Sequence, residues 1–262
     1  MASRRLAILL GVLVLIGLAG CVAVSPPSNA GDEPDTEALF EHTFVYGDDL
    51  EDVTGEMTIE VTGGEESISE TVRVYDRPYA HDREEVLETP DPEREGHVFA
   101  SDPSGAWWYY PEQSLAERHE AAEPFESAEI RSDRAEMAEW QREWYDLEYR
   151  ATEEIADREA HALEMELREE AIEDGVSVLV GNTEYVYALE TVDAPDELTV
   201  VERTVWIDDE YGYPLKERQV FELGDGERYE LVERFETVEF NSGLEDETFA
   251  FEPPENVTIE TR

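Results

Sequence analysis

Side chains able to do chemistry are plentiful in this sequence, but few stand at the spacings that reactions require. The histidines are His42, His81, His97, His119 and His161, and no two are spaced as His-x-x-x-His. His119-Glu120 opens like a zinc-protease helix, but Glu123 occupies the place of the second histidine. No metal site is therefore expected. His161 alternates with Leu163 and reads as a strand residue facing partly inward. There is no Gly-x-Ser-x-Gly turn to expose a serine nucleophile. There is no phosphate loop, dinucleotide fingerprint or calcium-hand loop either. With 68 acidic residues, carboxylate pairs arise by chance, so glycosidase chemistry cannot be argued from them. The chain reads as a non-enzyme without a cofactor. One residue does stand in a telling place: Cys21, the sole cysteine.

Cys21 cannot form an internal disulfide, so its meaning lies in its position. Arg4 and Arg5 precede an apolar run from Leu6 to Leu18, which closes in Leu18-Ala19-Gly20-Cys21. The run falls short of the roughly 20 apolar residues that span a bilayer. A basic start and a short apolar stretch are the pattern of a signal peptide. The closing tetrapeptide resembles the lipobox of bacterial and archaeal lipoproteins. That resemblance implies cleavage after residue 20 and a two-chain lipid on the Cys21 thiol. Two chains anchor stably where one does not. Arg4-Arg5 fits a twin-arginine or a general secretory signal equally well. Residues 21–38 hold Ser25-Pro26-Pro27-Ser28 and Gly31-Asp32-Glu33-Pro34, a flexible tether by composition. Residues 39–262 form the expected folded domain. The localisation implied is the extracellular face of the cell membrane.

Loss of residues 1–20 removes two arginines and no acid, leaving 17 bases against 68 acids and a net charge of −51. Disordered chains of such charge lack aromatics. This chain has five Trp, twelve Tyr and nine Phe, and should fold. Lys216 is its only lysine. An acid-rich, lysine-poor surface resembles proteins of halophilic archaea. At roughly 1 M salt the Debye length is about 3 Å, and such a surface no longer repels itself. No basic patch exists to meet nucleic acid.

The elements read mainly as antiparallel β-structure with some helix. Met57, Ile59 and Val61 alternate with polar residues, Gly63-Gly64 turn, and Ile68 to Tyr75 alternate again, which predicts a hairpin. Arg77-Pro78 ends it. His97–Ser101 and Ala106–Tyr110 flank the turn Asp102-Pro103-Ser104-Gly105, a second hairpin. A short helix is expected over Ser114–Ala122. A longer one is expected from an N-cap at Ser132, with Met137, Trp140, Trp144 and Leu147 on one face. Strands resume near Glu148 and include His161–Leu167, Val176–Val180, Tyr185–Leu189 and Leu198–Ile207. A last hairpin turns at Gly224-Asp225-Gly226. A meander of this size must close or cover its inner face, and the Trp140/Trp144 helix is the natural cover.

Several segments, in order, resemble the LolA-like lipoprotein carrier superfamily, which includes LolB, RseB-type sensors and mycobacterial lipid-binding lipoproteins. They are Val72-Arg73-Val74-Tyr75-Asp76-Arg77-Pro78 with Arg83 following, and Asp102-Pro103-Ser104-Gly105-Ala106-Trp107-Trp108-Tyr109-Tyr110-Pro111. Asp157-Arg158-Glu159-Ala160-His161-Ala162-Leu163 comes next. Trp206-Ile207-Asp208 with Tyr213-Pro214-Leu215-Lys216, and Phe249-Ala250-Phe251-Glu252-Pro253-Pro254, complete the set. The resemblance implies a half-open antiparallel β-barrel with a helical lid over an apolar cavity. It implies an acyl chain, lipid or lipoprotein as hydrophobic ligand, and no catalytic residue.

Trp107, Tyr109, Met137, Trp140 and Trp144 are the candidate cavity residues. A dry helix-on-sheet core would use the same helix residues. Asn256-Val257-Thr258 is a sequon, making Asn256 a candidate N-glycosylation site. The alternative function is an envelope stress-sensing or protein-interaction lipoprotein with no transported ligand. The charge itself makes a prediction: the circular dichroism spectrum should lose its native form when molar salt is dialysed to millimolar. An unchanged spectrum would contradict the halophilic reading.

Overall fold

The computed structural model describes residues 34–64, 66–168, 177–180, 183–186, 199–222 and 226–261. Cys21, the signal segment and most of the tether lie outside them. So do Val176, the end of the Tyr185–Leu189 segment, and Gly224-Asp225 of the last hairpin turn.

One open sheet dominates. Its strands are β1 (Val53–Gly63), β2 (Glu66–Arg77), β3 (His81–Glu88), β4 (Val98–Asp102), β5 (Gly105–Tyr110) and β6 (Leu115–Glu120). After a helical segment come β7 (Tyr145–Ile155) and β8 (Arg158–Leu167). A separate hairpin of β9 (Ser177–Val180) and β10 (Thr183–Val186) follows, its strands pairing with each other. The sheet resumes with β11 (Thr199–Asp208), β12 (Pro214–Glu222), β13 (Arg228–Phe240) and β14 (Thr258–Thr261). The strand order is β14-β6-β5-β4-β3-β2-β1-β13-β12-β11-β8-β7. Neighbours are antiparallel except β14, which runs parallel to β6. The two edges, β14 and β7, do not meet. The architecture is thus mainly β and half-open, with helices added.

Alternation decides the faces. Met57, Ile59 and Val61 lie opposite Val72, Glu70 and Ile68 on one side, and opposite Phe235, Glu233 and Leu231 on the other. Facing residues share a sheet face. This inner face carries most of the core: Ile59, Val72, Val74, Leu163, Met165, Val205, Leu215, Leu231 and Phe235 are buried on it. Helix α1 (Thr36–His42) and the chain to Leu50 pack there too. Phe40 meets Tyr145 at 5.8 Å and Tyr46 meets Tyr213 at 4.5 Å between ring centres. Helix α2 (Ser127–Gln141) contributes Ala138 to the same core.

Three sequence expectations change. The segment Ser114–Ala122 holds strand β6, because it pairs residue for residue with β5. Helix α2 begins at Ser127 rather than after Ser132, behind an extended Glu126. Its buried stripe is Arg134, Ala138 and Gln141, at i, i+4 and i+7. Trp140 is therefore turned outward, at 55% exposure. Trp144 lies beyond the helix in a 3-10 turn (Arg142–Trp144), and Leu147 is already in β7.

The two ends of the domain are tied by Asp52, which is 3% exposed. Its carboxylate accepts from the backbone N–H groups of Ser242 (2.8 Å), Gly243 (3.0 Å) and Leu244 (2.9 Å), and from the Ser242 hydroxyl (3.0 Å). Asn241 completes the clasp, accepting from the Glu51 N–H at 2.7 Å and donating to the Asp49 carbonyl at 2.9 Å. Asp52→Ala would orphan three N–H groups at once. Hydrogen bonds to a charged group are worth about 1.5–3 kcal/mol each, so a loss of ~3 kcal/mol or more is expected in chemical unfolding at molar salt. A loss below ~1 kcal/mol would contradict the clasp.

Candidate functional site

The inner face should be apolar if sheet alternation alone decided it. Instead a row of carboxyl groups crosses it. Glu70 and Asp76 come from β2, Asp82 and Glu84 from β3, and Glu233 from β13, and all five are buried. Register explains why they gather. Asp76 faces Asp82, Glu84 faces Val74 and Phe99, and Ile59 stands between Glu70 and Glu233. Each acid occupies a position whose neighbours two residues away along the strand point to the same face.

Two members of this neighbourhood are neutralised by arginine. Arg94 grips Glu70 with both arms of its guanidinium, Nε to Oε2 at 2.9 Å and Nη2 to Oε1 at 2.7 Å. Buried Arg203 grips Glu217 the same way, at 2.5 and 3.0 Å. Such forked pairs are the strong form of an ion pair. Asp76 accepts from the buried Tyr213 hydroxyl at 3.2 Å and feels the charge of Arg134 from helix α2.

The remaining acids are shifted upward. Burial pushes Asp82 up to about 7, against the backbone N–H of Arg83. Burial and the charge of Glu217 push Glu233 up to about 8, against Arg203. Burial, then Asp82, raises both Asp76 and Glu84 well above the carboxylate range. The cause is the cost of holding a charge away from water. At neutral pH Asp76, Glu84 and Glu233 are therefore uncharged carboxylic acids and Asp82 is partly so. Such groups donate as well as accept hydrogen bonds. They tolerate an apolar neighbour that a carboxylate would reject.

The sequence-derived aromatics divide between the two faces. Tyr109 faces Val98 and Ala116, and Trp107 faces Ala100 and Arg118, on the outer face. Phe251 lies against both, at 6.1 and 5.5 Å, and the Arg118 guanidinium sits 5.0 Å from the Trp107 ring. On the inner face the same hairpin presents Trp108 and Phe99, 5.2 Å apart, beside Glu84. Met137 and Trp144 are half-buried against the core, and Trp140 stacks edge-on to Trp144 at 4.2 Å. The five candidates thus do not converge: Trp107 and Tyr109 are on the outer face of the sheet, and Met137, Trp140 and Trp144 belong to α2 and the turn after it. The sequence reading misses the inner aromatic pair Phe99 and Trp108, although strand alternation carried forward from Val74 and Glu84 points to it. It misses the buried acids as well. Asn256 is exposed, just before β14, with a backbone φ of 73°.

The C-terminal segment that covers Trp107 and Tyr109 is held by two motif arginines. Arg77 donates to Asp246 and to the Leu244 carbonyl, both at 2.6 Å, and lies 4.9 Å from the Phe249 ring. Arg83 donates to the Thr248 carbonyl at 3.0 Å. Together they fix the short helix α3 (Asp246–Phe249) against the sheet.

The shifted acids set a pH dependence with a definite sign. In the unfolded chain Asp82 and Glu233 ionise near pH 4; in the fold they stay protonated to about 7 and 8. Between those limits the folded state binds more protons, so stability falls as pH rises and the fall ends near pH 8. Thermal unfolding at molar salt should show this between about pH 6.5 and 8, above the range in which His42, His81 and His97, lowered by burial, act with the opposite sign. Asp82→Asn and Glu233→Gln should each flatten the fall and raise the midpoint at pH 8, by about 2–4 °C per kcal/mol recovered. A midpoint that rises with pH in the native chain, or variants with an unchanged slope, would contradict the assignment.

No family model matches the chain, and no curated protein does. Solved structures do match. An uncharacterized conserved protein from Thermus thermophilus is 15% identical over 79% of this chain and 91% of its own, with a TM-score of 0.42. A LolA superfamily protein from Nitrosomonas europaea is 12% identical over 84% and 99%, with a TM-score of 0.34. The Mycobacterium tuberculosis lipoprotein LppX is 12% identical over 80% and 99%, with a TM-score of 0.38. At these TM-scores the fold rests on its own strand order: a half-open antiparallel sheet carrying helices, as the motif resemblance implies.

Proposed function

We propose that this chain is a non-enzymatic lipoprotein, anchored through Cys21 at the extracellular face of the cell membrane, that binds a hydrophobic ligand on its half-open sheet. The ligand class is an acyl chain, a lipid or the acylated end of another lipoprotein. The observation that carries the reading is the aromatic end of the sheet. Phe99, Trp108 and Tyr110 are half-buried on its inner face, outside the main core cluster. Half-buried aromatics hold apolar area that a ligand can finish burying, at roughly 0.8 kcal/mol per methylene. The buried carboxyl of Glu84, opposite Phe99 and raised well above the carboxylate range, keeps that end compatible with an apolar guest. The acidic surface supports a setting of molar salt.

A second reading has one observation of its own. Trp140 is exposed and rigidly stacked on Trp144. Aromatic anchors of this kind are enriched where proteins meet. A protein-interaction lipoprotein would use that face of α2 instead.

The test begins with protein extracted from its own membranes in high salt, followed by mass spectrometry of the organic extract. Stoichiometric lipid is expected, and Phe99→Ala with Trp108→Ala should reduce it several-fold. Trp140→Ala should leave it unchanged. Cys21→Ser should move the protein from the membrane to the medium. A lipid-free extract, or one unaffected by Phe99 and Trp108, would turn the account toward the protein-interaction reading.

A further inference from the structure

We infer that Glu159, His161 and Asp209 form a binding site for a divalent transition-metal ion, at the end of the sheet away from the aromatic hairpin. The three residues each bring one ligand atom, and these atoms lie within 4.8 Å of one another. Their positions follow from the fold. Glu159 and His161 are two apart on β8 and so point to the same face, and Asp209 opens the turn after β11. The backbone N–H of Asp209 donates to the Glu159 carbonyl at 3.0 Å, which brings the turn onto the strand.

The cluster differs from a chance group of surface acids in its central imidazole. His161 Nε2 donates to Asp209 Oδ1 at 2.7 Å, so imidazole and carboxylate already face each other across the place where an ion would replace the proton. Nδ1 stands 3.2 Å from the Thr152 hydroxyl, which in turn pairs with the Tyr149 hydroxyl at 2.7 Å. A metal that displaces the Nε2 proton leaves Nδ1–H to donate to Thr152 Oγ1. A partner on the second ring nitrogen is what orients a ligating histidine. Neither Thr152 nor Tyr149 belongs to the cluster, so this orientation is a separate observation.

Charge sorting in the turn agrees. Asp208 and Glu210 flank Asp209, and both are taken by Arg158, at 2.6 and 2.9 Å. Asp209 points to the imidazole instead. Two carboxylates and a neutral imidazole carry a charge of −2, which a divalent ion cancels. One nitrogen and two oxygens favour Mn²⁺, Co²⁺, Ni²⁺ or Zn²⁺ over Mg²⁺ and Ca²⁺, which take oxygen alone. Glu159 and Asp209 are exposed, so water would complete the coordination.

Cobalt titration of the full chain in detergent and molar KCl tests the site, with excess Mg²⁺ present to occupy diffuse surface carboxylates. One saturable Co²⁺ with ligand-field absorption is expected. His161→Gln should weaken it tenfold or more, and Asp209→Asn, at an exposed turn, should do the same should the first variant not fold. Thr152→Val removes no ligand and should still weaken binding about tenfold, through loss of ring orientation. Glu236→Gln, an exposed acid elsewhere, should change nothing. Absence of saturation, or equal Co²⁺ affinity in the native chain, His161→Gln and Asp209→Asn, would overturn the inference and leave only condensation on surface acids.

Discussion

The structure depends on what happens to acids when a strongly acidic chain folds into a sheet. A surface can hold dozens of carboxylates, provided salt screens them. The inner face cannot, because there the ions have no water. Three devices meet this constraint. Arg94 and Arg203 form forked pairs with Glu70 and Glu217. The Tyr213 hydroxyl donates to the Asp76 carboxyl, with the weaker charge of Arg134 from helix α2 acting the same way against burial. Burial itself raises Asp82, Glu84 and Glu233, so that at neutral pH the last two stay protonated and Asp82 partly so.

The same scarcity of cations shapes the rest of the molecule. Arginine does nearly all the pairing, since the chain has one lysine. Arg77 and Arg83 direct their donors to backbone carbonyls of the C-terminal segment. That segment delivers Phe251 to Trp107 and Tyr109. One hairpin thus has an aromatic outer face closed by the chain's own end, and an aromatic inner face beside the neutral carboxyl of Glu84. The proposed ligand surface is the inner one, and its chemistry is set by protonation as much as by apolar area.

The hairpins are legible in the sequence. Period-two alternation marks β1–β2, β4–β5 and β8, and Pro78 ends β2 where a ladder must end. The order of the Arg-Pro, Gly-Ala-Trp-Trp and Pro-Leu-Lys segments indicates the half-open sheet. What stays hidden has a physical reason. A reading by hydrophobicity places Asp and Glu outside, so Asp82, Glu84 and Glu233 look like ordinary polar positions among 68 acids. The same assumption turns α2 by about one residue. Met137 and Trp140 look like its buried stripe, whereas the structure buries Arg134, Ala138 and Gln141. His161 is legible as a strand residue, but its meeting with Asp209 depends on the pairing of β8 with β11, which no local pattern reveals.

Burial raises the inner-face carboxyls far above the range of exposed carboxylates, so that they hold protons near neutral pH. Carbon-13 NMR of the side-chain carboxyls, followed through a pH titration in molar salt with Asp82→Asn and Glu233→Gln for assignment, reads it directly. The account predicts midpoints near 7 for Asp82 and near 8 for Glu233. Midpoints near 4 for both, where exposed carboxylates titrate, would contradict it.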